Sequence, residues 1–317
     1  MTTAFVFPGQ GAQAVGMGKG LADAFASAGR LFEEVDEALG QNLSGIMFDG
    51  PEEQLTLTEN AQPALMAASM AVMRVLAAEG GVNIGAAASH VAGHSLGEYS
   101  ALAAAGAIEV ADAARLLKTR GQAMQKAVPV GGGAMAAVLG LDLETVEAVA
   151  AEAGGAAGKE GICAVANDNA PGQVVLSGDT AAIDRAIEIA KNKGAKRSIK
   201  LAVSAPFHCA LMAPAAEVMD DALGAVSLVP PKVPLIANVT AAPATDPDDI
   251  KALLVQQITG RVRWRESMLA MVQAGVIKTV EVGPGKILSG LNRRIADTME
   301  VVNIGGPSDV ETYLSGE

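Results

Sequence analysis

The chain has 317 residues, half of them apolar and only 18% charged, which excludes a disordered protein and allows one large domain or two ordinary ones. A formal net charge of −12 and an aromatic content of 3% argue against a nucleic-acid phosphate backbone or stacked bases as partner. Cys163 and Cys209 give neither a disulfide framework nor metal-ligand spacing. No basic segment opens the N-terminus, and the uncharged run Ala61–Met73 is too short to span a bilayer and contains Gln62 and Pro63. A reduced, cytoplasmic, monomeric protein without metal or redox cofactor and without a membrane segment is expected.

Phe5–Phe7 reads as a strand ending at Pro8-Gly9-Gln10-Gly11, a loop with two glycines. Helical periodicity follows over Leu21–Leu39 and Ala61–Ala78. Ala86–Val91 reads as a buried strand leading into Gly93-His94-Ser95-Leu96-Gly97, with a helix of small residues over Glu98–Ala107 and another over Val110–Val128. Strands alternating with helices imply an α/β domain with a mainly parallel sheet. In such sheets ligands bind beyond the carboxyl ends of the strands, where the Gly9–Gly11 loop and Ser95 would both lie.

The middle of the chain has a different rhythm. A strand at Ala134–Gly140, a helix over Asp142–Ala153, a hairpin joining Ile162–Ala166 to Gln173–Ser177, a helix over Asp179–Lys193 and a strand at Arg197–Val203 give the order β-α-β-β-α-β. That order is ferredoxin-like. Residues 127–199 are therefore expected as a small subdomain inserted into a discontinuous large domain, 1–126 and 200–317.

Gly-x-Ser-x-Gly at a strand-to-helix junction forms a sharp elbow that exposes the serine hydroxyl, and the following helix aims free N–H groups at the point where an oxyanion would form. The five-residue pattern also fits a plain structural turn, and the elbow with a histidine would also serve a serine hydrolase or thioesterase. A nucleophilic serine needs a base, and the chain has three histidines. His94 adjoins Ser95 and His90 lies in the strand, so both suit buried structural roles. His208, in the Pro-punctuated loop Ala205-Pro206-Phe207-His208, remains as the base, with Cys209 beside it as an alternative thiol nucleophile. Arg120 falls on the apolar stripe Ala113, Leu116, Leu117, Met124. Its burial is costly unless a carboxylate meets it, either in an internal salt bridge or on a substrate held by the bidentate fork. Arg115, on the other face, is expected to be solvated.

Six segments occur in order: Phe7–Gln13, Gly93–Tyr99, Lys118–Gly121, Asn167–Leu176 (with Pro171-Gly172-Gln173), Pro206–His208 and Glu281–Gly285. Together they resemble the malonyl-CoA:acyl carrier protein transacylase family, and the resemblance covers almost the whole chain. It implies an α/β-hydrolase-like core with an inserted ferredoxin-like subdomain and a site in the cleft between them. It also implies transfer of malonyl from malonyl-CoA to holo acyl carrier protein through a malonyl-serine, in fatty acid synthesis or a polyketide pathway, with the coenzyme A thioester as substrate rather than cofactor. By that resemblance Ser95 is the nucleophile, His208 the base and Arg120 the partner of the malonyl carboxylate. The N–H groups of Gln10 and Leu96 form the oxyanion hole, the main-chain carbonyl of Gln257 orients the histidine, and Phe207 crowds an α-methyl branch. Carrier proteins of this kind are acidic. The basic run Lys191, Lys193, Lys196, Arg197 and Lys200, with the pair Arg293 and Arg294, is either their docking surface or a solvated helix end.

Overall fold

The computed structural model describes residues 2–155 and 160–316. Its strands are, in chain order, β1 (Thr3–Phe7), β2 (His90–Gly93), β3 (Gly133–Leu139), β4 (Cys163–Ala170), β5 (Gln173–Asp179), β6 (Arg197–Lys200), β7 (Leu235–Ile236), β8 (Pro243–Ala244), β9 (Lys278–Val282) and β10 (Glu300–Ile304). Six of them form a sheet in the order β10-β9-β1-β2-β7-β8, parallel except for the edge strand β8. Helices cover both faces, which is why β1 is buried from Ala4 to Phe7 with no polar alternation. Phe7 pairs with Gly93, so β1 and β2 end level. The loop after β1 and the elbow after β2 therefore leave the sheet side by side.

The other four strands form an antiparallel sheet in the order β4-β5-β3-β6, with the helices Leu143–Gly154 and Thr180–Asn192 packed on one face. Alternation along β3 shows the division: Ala134, Ala136 and Val138 meet those helices, while Met135 joins the main core. A mixed α/β protein with a parallel sheet and a ferredoxin-like β-α-β-β-α-β unit is the architecture expected from the sequence.

Several local expectations are corrected. Ala86 and Ala87 are not strand: they lie in a short helix, Ile84–Ala87, capped by the Asn83 side chain, which accepts from Gly85 N–H at 2.9 Å. Alanine favours helix over strand once a cap is available. The segment Leu21–Leu39 is two helices, Lys19–Ala24 and Ala26–Leu39, broken where Phe25 is extended. The strand expected over Arg197–Val203 stops at Lys200, and the hairpin turn is only Pro171-Gly172, because β4 continues through Asn167-Asp168-Asn169. That polar stretch stays extended because a second partner holds it: Asp168 N–H donates to Val262 C=O at 2.9 Å, and Val262 N–H donates to Ala166 C=O at 2.8 Å. Arg265 also grips the buried Asp168 carboxylate at 2.8–3.1 Å. Lastly, the apolar run is part of a 23-residue helix, Thr58–Gly80, long and apolar enough to cross a bilayer. Its most apolar 18-residue window is 83% buried inside the protein, the behaviour of a core helix.

Candidate active site

The elbow is built by close approach. A Cβ on Gly93 would lie 1.9 Å from the Gly97 backbone, and one on Gly97 would lie 2.3 Å from Phe7 C=O, so neither position tolerates a side chain. Between them Ser95 takes φ 54°, a left-handed conformation that costs a non-glycine residue on the order of 1 kcal/mol or more. The buried Asn238, just beyond β7, clasps this turn from both sides. Its Oδ1 accepts from Ser95 N–H at 2.8 Å and its Nδ2 donates to Gly93 C=O at 2.7 Å.

Ser95 Oγ lies 2.7 Å from His208 Nε2, and His208 Nδ1 lies 2.8 Å from the main-chain carbonyl of Gln257. A carbonyl can only accept, so Nδ1 carries the proton and Nε2 is left to accept from the serine hydroxyl. Burial, reinforced by the Arg120 charge, depresses His208 to about 3. The imidazole is therefore neutral near pH 7, the form a general base requires.

Arg120 is 2% exposed on the helix Val110–Ala127. Its Nη2 donates to Ser95 Oγ at 3.0 Å and to Gln257 Oε1 at 2.8 Å, and its Nη1 donates to Gln62 Oε1 at 2.7 Å. Among the described residues it has no salt-bridge partner, so the internal ion pair that the sequence left open is not formed. A buried guanidinium held directly by neutral oxygens, with the Glu98 carboxyl acting on it only through space, sits beside a hydroxyl that can attack. An anionic group entering the site would supply what is missing. Gln62 is fixed in turn by Thr58, whose Oγ1 accepts from Gln62 Nε2 at 3.0 Å and donates to Gln10 Oε1 at 3.1 Å.

These groups open into a cavity of about 450 Å³ between the two sheets, whose walls include Gln10, Leu96, Phe207, Met135 and Val175. The N–H groups of Gln10 and Leu96 have no acceptor among the described residues, so both are free to meet a developing oxyanion. Phe207 lies beside His208 on the wall and is 8% exposed. His94 is half-buried, bonds Asn169 Oδ1 at 2.8 Å and lines the cavity, while His90 bonds the Ser89 hydroxyl at 3.0 Å, away from Ser95. Cys209 is buried with its thiol donating to Pro206 C=O, and burial pushes it above the ordinary thiol range, which disfavours a thiolate. Arg115 is exposed and pairs with Asp112. Lys191, Lys193, Lys196 and Arg197 are exposed, Lys193 pairing with Glu152 at 3.1 Å, and Arg293 is exposed as well. Arg294 instead donates to Gln173 Oε1 and Pro171 C=O, joining its helix to the small sheet.

Three site residues escaped the sequence reading. Gln62 was visible only as a polar interruption of an apolar run. Glu98 was visible only as a member of the segment Gly93–Tyr99, with no role attached, and Asn238 gave no pattern at all, since their partners lie over 100 residues away. Glu98 is buried, accepts from Asn238 N–H at 2.6 Å and from the Gln257 amide, and is pushed up to about 8 by burial, against those two donors and the Arg120 charge.

Residues 4–304 match the family described as acyl transferase domain. The chain is 44% identical over 312 residues to the malonyl CoA-acyl carrier protein transacylase of Bacillus subtilis, covering 98% of this chain and 96% of that one. The crystal structure of the acyl-carrier-protein-S-malonyltransferase from Bartonella henselae superimposes with a TM-score of 0.96 at 52% identity, covering 100% of this chain and 99% of that one. A malonyl-transacylase in complex with its type II PKS acyl-carrier protein superimposes with a TM-score of 0.95 at 41% identity, with both chains covered completely.

Proposed function

Because this chain belongs to the acyl transferase family of malonyl CoA-acyl carrier protein transacylases, we propose that it moves malonyl from coenzyme A to the phosphopantetheine thiol of an acyl carrier protein through a malonyl ester on Ser95. The observation that carries this reading is Arg120, buried, in no ion pair among the described residues and bonded to the Ser95 hydroxyl.

In the first half-reaction Ser95 Oγ passes its proton to His208 Nε2 and bonds the thioester carbonyl carbon. The oxyanion is met by the N–H groups of Gln10 and Leu96. The carbon–sulfur bond then breaks and the leaving thiolate takes the proton from His208. In the second, the pantetheine thiol gives its proton to His208 and bonds the malonyl carbon, and Ser95 Oγ leaves with that proton. Gln257 C=O keeps His208 in the tautomer that both halves need. Arg120 holds the malonyl carboxylate, and Phe207 narrows the cavity where an α-methyl branch would sit. No cofactor enters these steps. The exposed cations at 191–197 and at Arg293 are proposed to face the acidic carrier, and the acceptor is assigned to fatty acid synthesis. A polyketide carrier is the second reading, favoured by the structural relative solved with one; loading rates measured on both carrier classes separate the two.

The test is intact-mass measurement of the wild type and Ser95→Ala after malonyl-CoA, then after holo carrier protein. A malonyl adduct on the wild type alone, discharged onto the carrier, is expected. Consumption of malonyl-CoA without an adduct would make this a hydrolase.

A further inference from the structure

We propose that Glu98 is a positioning residue that fixes which way round the Gln257 amide sits, and so holds the acceptor that aims Arg120 at the acyl carboxylate. The argument is one of donors and acceptors. Gln257 Nε2 faces two acceptors, Ser95 C=O at 2.9 Å and the Glu98 carboxylate, while its Oε1 faces the Arg120 guanidinium at 2.8 Å. Only this orientation pairs every donor with an acceptor; the flipped amide would set N–H against N–H at Arg120 and oxygen against oxygen at Glu98. Both Glu98 oxygens are in use as acceptors, one for Asn238 N–H and one for Gln257. An acceptor-only carboxylate satisfies both, whereas a side-chain amide offers one acceptor and one donor and must oppose either Asn238 or Gln257. At 2% exposure Glu98 is shielded from bulk solvent, so the conflict is not relieved by solvation. It touches neither Ser95 Oγ nor His208; it reaches Arg120 through the Gln257 side chain, while its other bond, from Asn238 N–H, bears on the Ser95 turn and so on malonyl and acetyl loading alike.

This rests on the reading of Arg120 as the partner of the malonyl carboxylate. The experiment compares Ser95 loading from malonyl-CoA and from acetyl-CoA, which lacks that carboxylate, above pH 8 so that Glu98 is ionised. Glu98→Gln is expected to lower kcat/KM for malonyl-CoA by roughly 10- to 100-fold, mostly through KM, with acetyl loading changed by less than about threefold. Glu98→Asp, which remains acceptor-only, is expected to keep the wild-type ratio of malonyl to acetyl. Equal losses for both donors in Glu98→Gln, or an unchanged malonyl rate, overturn the proposal. Should Glu98→Gln fail to fold, Gln257→Met keeps the main-chain carbonyl and removes the amide. Its malonyl loading is expected to fall at least about tenfold further than its acetyl loading, and equal falls overturn the proposal. Arg120→Ala in the same assay tests the underlying reading: equal losses there defeat the role of Arg120 itself, whereas a selective loss in Arg120→Ala without one in Glu98→Gln defeats only the inference about Glu98.

Discussion

The two walls of the cavity are made differently. The wall from the large sheet is a closed set of polar groups: the half-buried Ser95 and the buried His208, Arg120, Gln62, Gln257, Glu98 and Asn238 hold one another through hydrogen bonds of 2.6–3.0 Å. The wall from the small sheet presents Met135, Ala137 and Val175, with Asn167, Asn169 and Gln173 at its edge. In the first, each side chain has its orientation set by a neighbour, so one substitution misaligns several groups. In the second, side chains give shape and exclude water, and a change of volume stays local. Chemistry should therefore fail abruptly on one side of the cavity and drift in selectivity on the other.

The largest break expected is His208→Ala, which removes the base bonded to Ser95 Oγ and should slow malonyl loading by about 10³- to 10⁴-fold with binding nearly unchanged. A loss confined to KM would contradict that division. Next is Arg120→Ala, with about 100-fold less malonyl loading and a much smaller effect on acetyl loading. The same variant should move the pH profile. His208 is held low first by burial and then by the Arg120 charge, so loading by the wild type persists as pH falls well below the ordinary histidine value. Removing the charge raises His208, and the acid limb of kcat/KM should shift upward; a downward shift or none would exclude Arg120 as a cause. Stability follows the same sign. The unfolded chain protonates His208 at about 6.5 and the folded one only near 3, so its contribution is lost as pH drops through that window.

How much of this was legible in the sequence follows from how local each signal is. The elbow glycines, the Ser95 turn and the apolar stripe around Arg120 are short-range patterns, and periodicity found them. The β-α-β-β-α-β order was also readable, because its helices and strands alternate at ordinary spacing. The extension of β4 through Asn167-Asp168-Asn169 was not, because its strand conformation is imposed by Val262 and Arg265, almost 100 residues on. The same holds for Asn238 and Glu98, whose roles exist only once β7 lies beside β2. Gln257 came from the family resemblance and not from any local pattern, since a main-chain carbonyl leaves no trace in side-chain identity.

Among the apolar lining residues, Phe207→Ala, next to His208 in the chain, should enlarge the cavity without removing a hydrogen bond of the polar set. The expected result is a rise of about tenfold in methylmalonyl-CoA use relative to malonyl-CoA, the scale set by one methyl group in an apolar pocket, with malonyl kcat within about threefold of wild type. An unchanged selectivity would assign the crowding of an α-methyl branch to another residue.

The smallest effect belongs to the surface. Lys193 is partly neutralised by Glu152 and Lys200 by Asp184, which leaves Lys191, Lys196 and Arg197 as the uncommitted positive charges of that run among the described residues. Exposed charges at a protein–protein rim act on encounter and are screened by salt. Lys193→Glu with Lys196→Glu should therefore raise the carrier-protein KM only a few-fold at low salt, and the difference should fade at high ionic strength. Loading of Ser95 from malonyl-CoA should not change. If the malonyl-CoA half-reaction slows as much as the carrier half-reaction, the run acts on the fold of the small sheet and not on the acidic partner. Its cations then belong with the solvated end of the helix Thr180–Asn192, where positive charge near the last turn suffices to explain them.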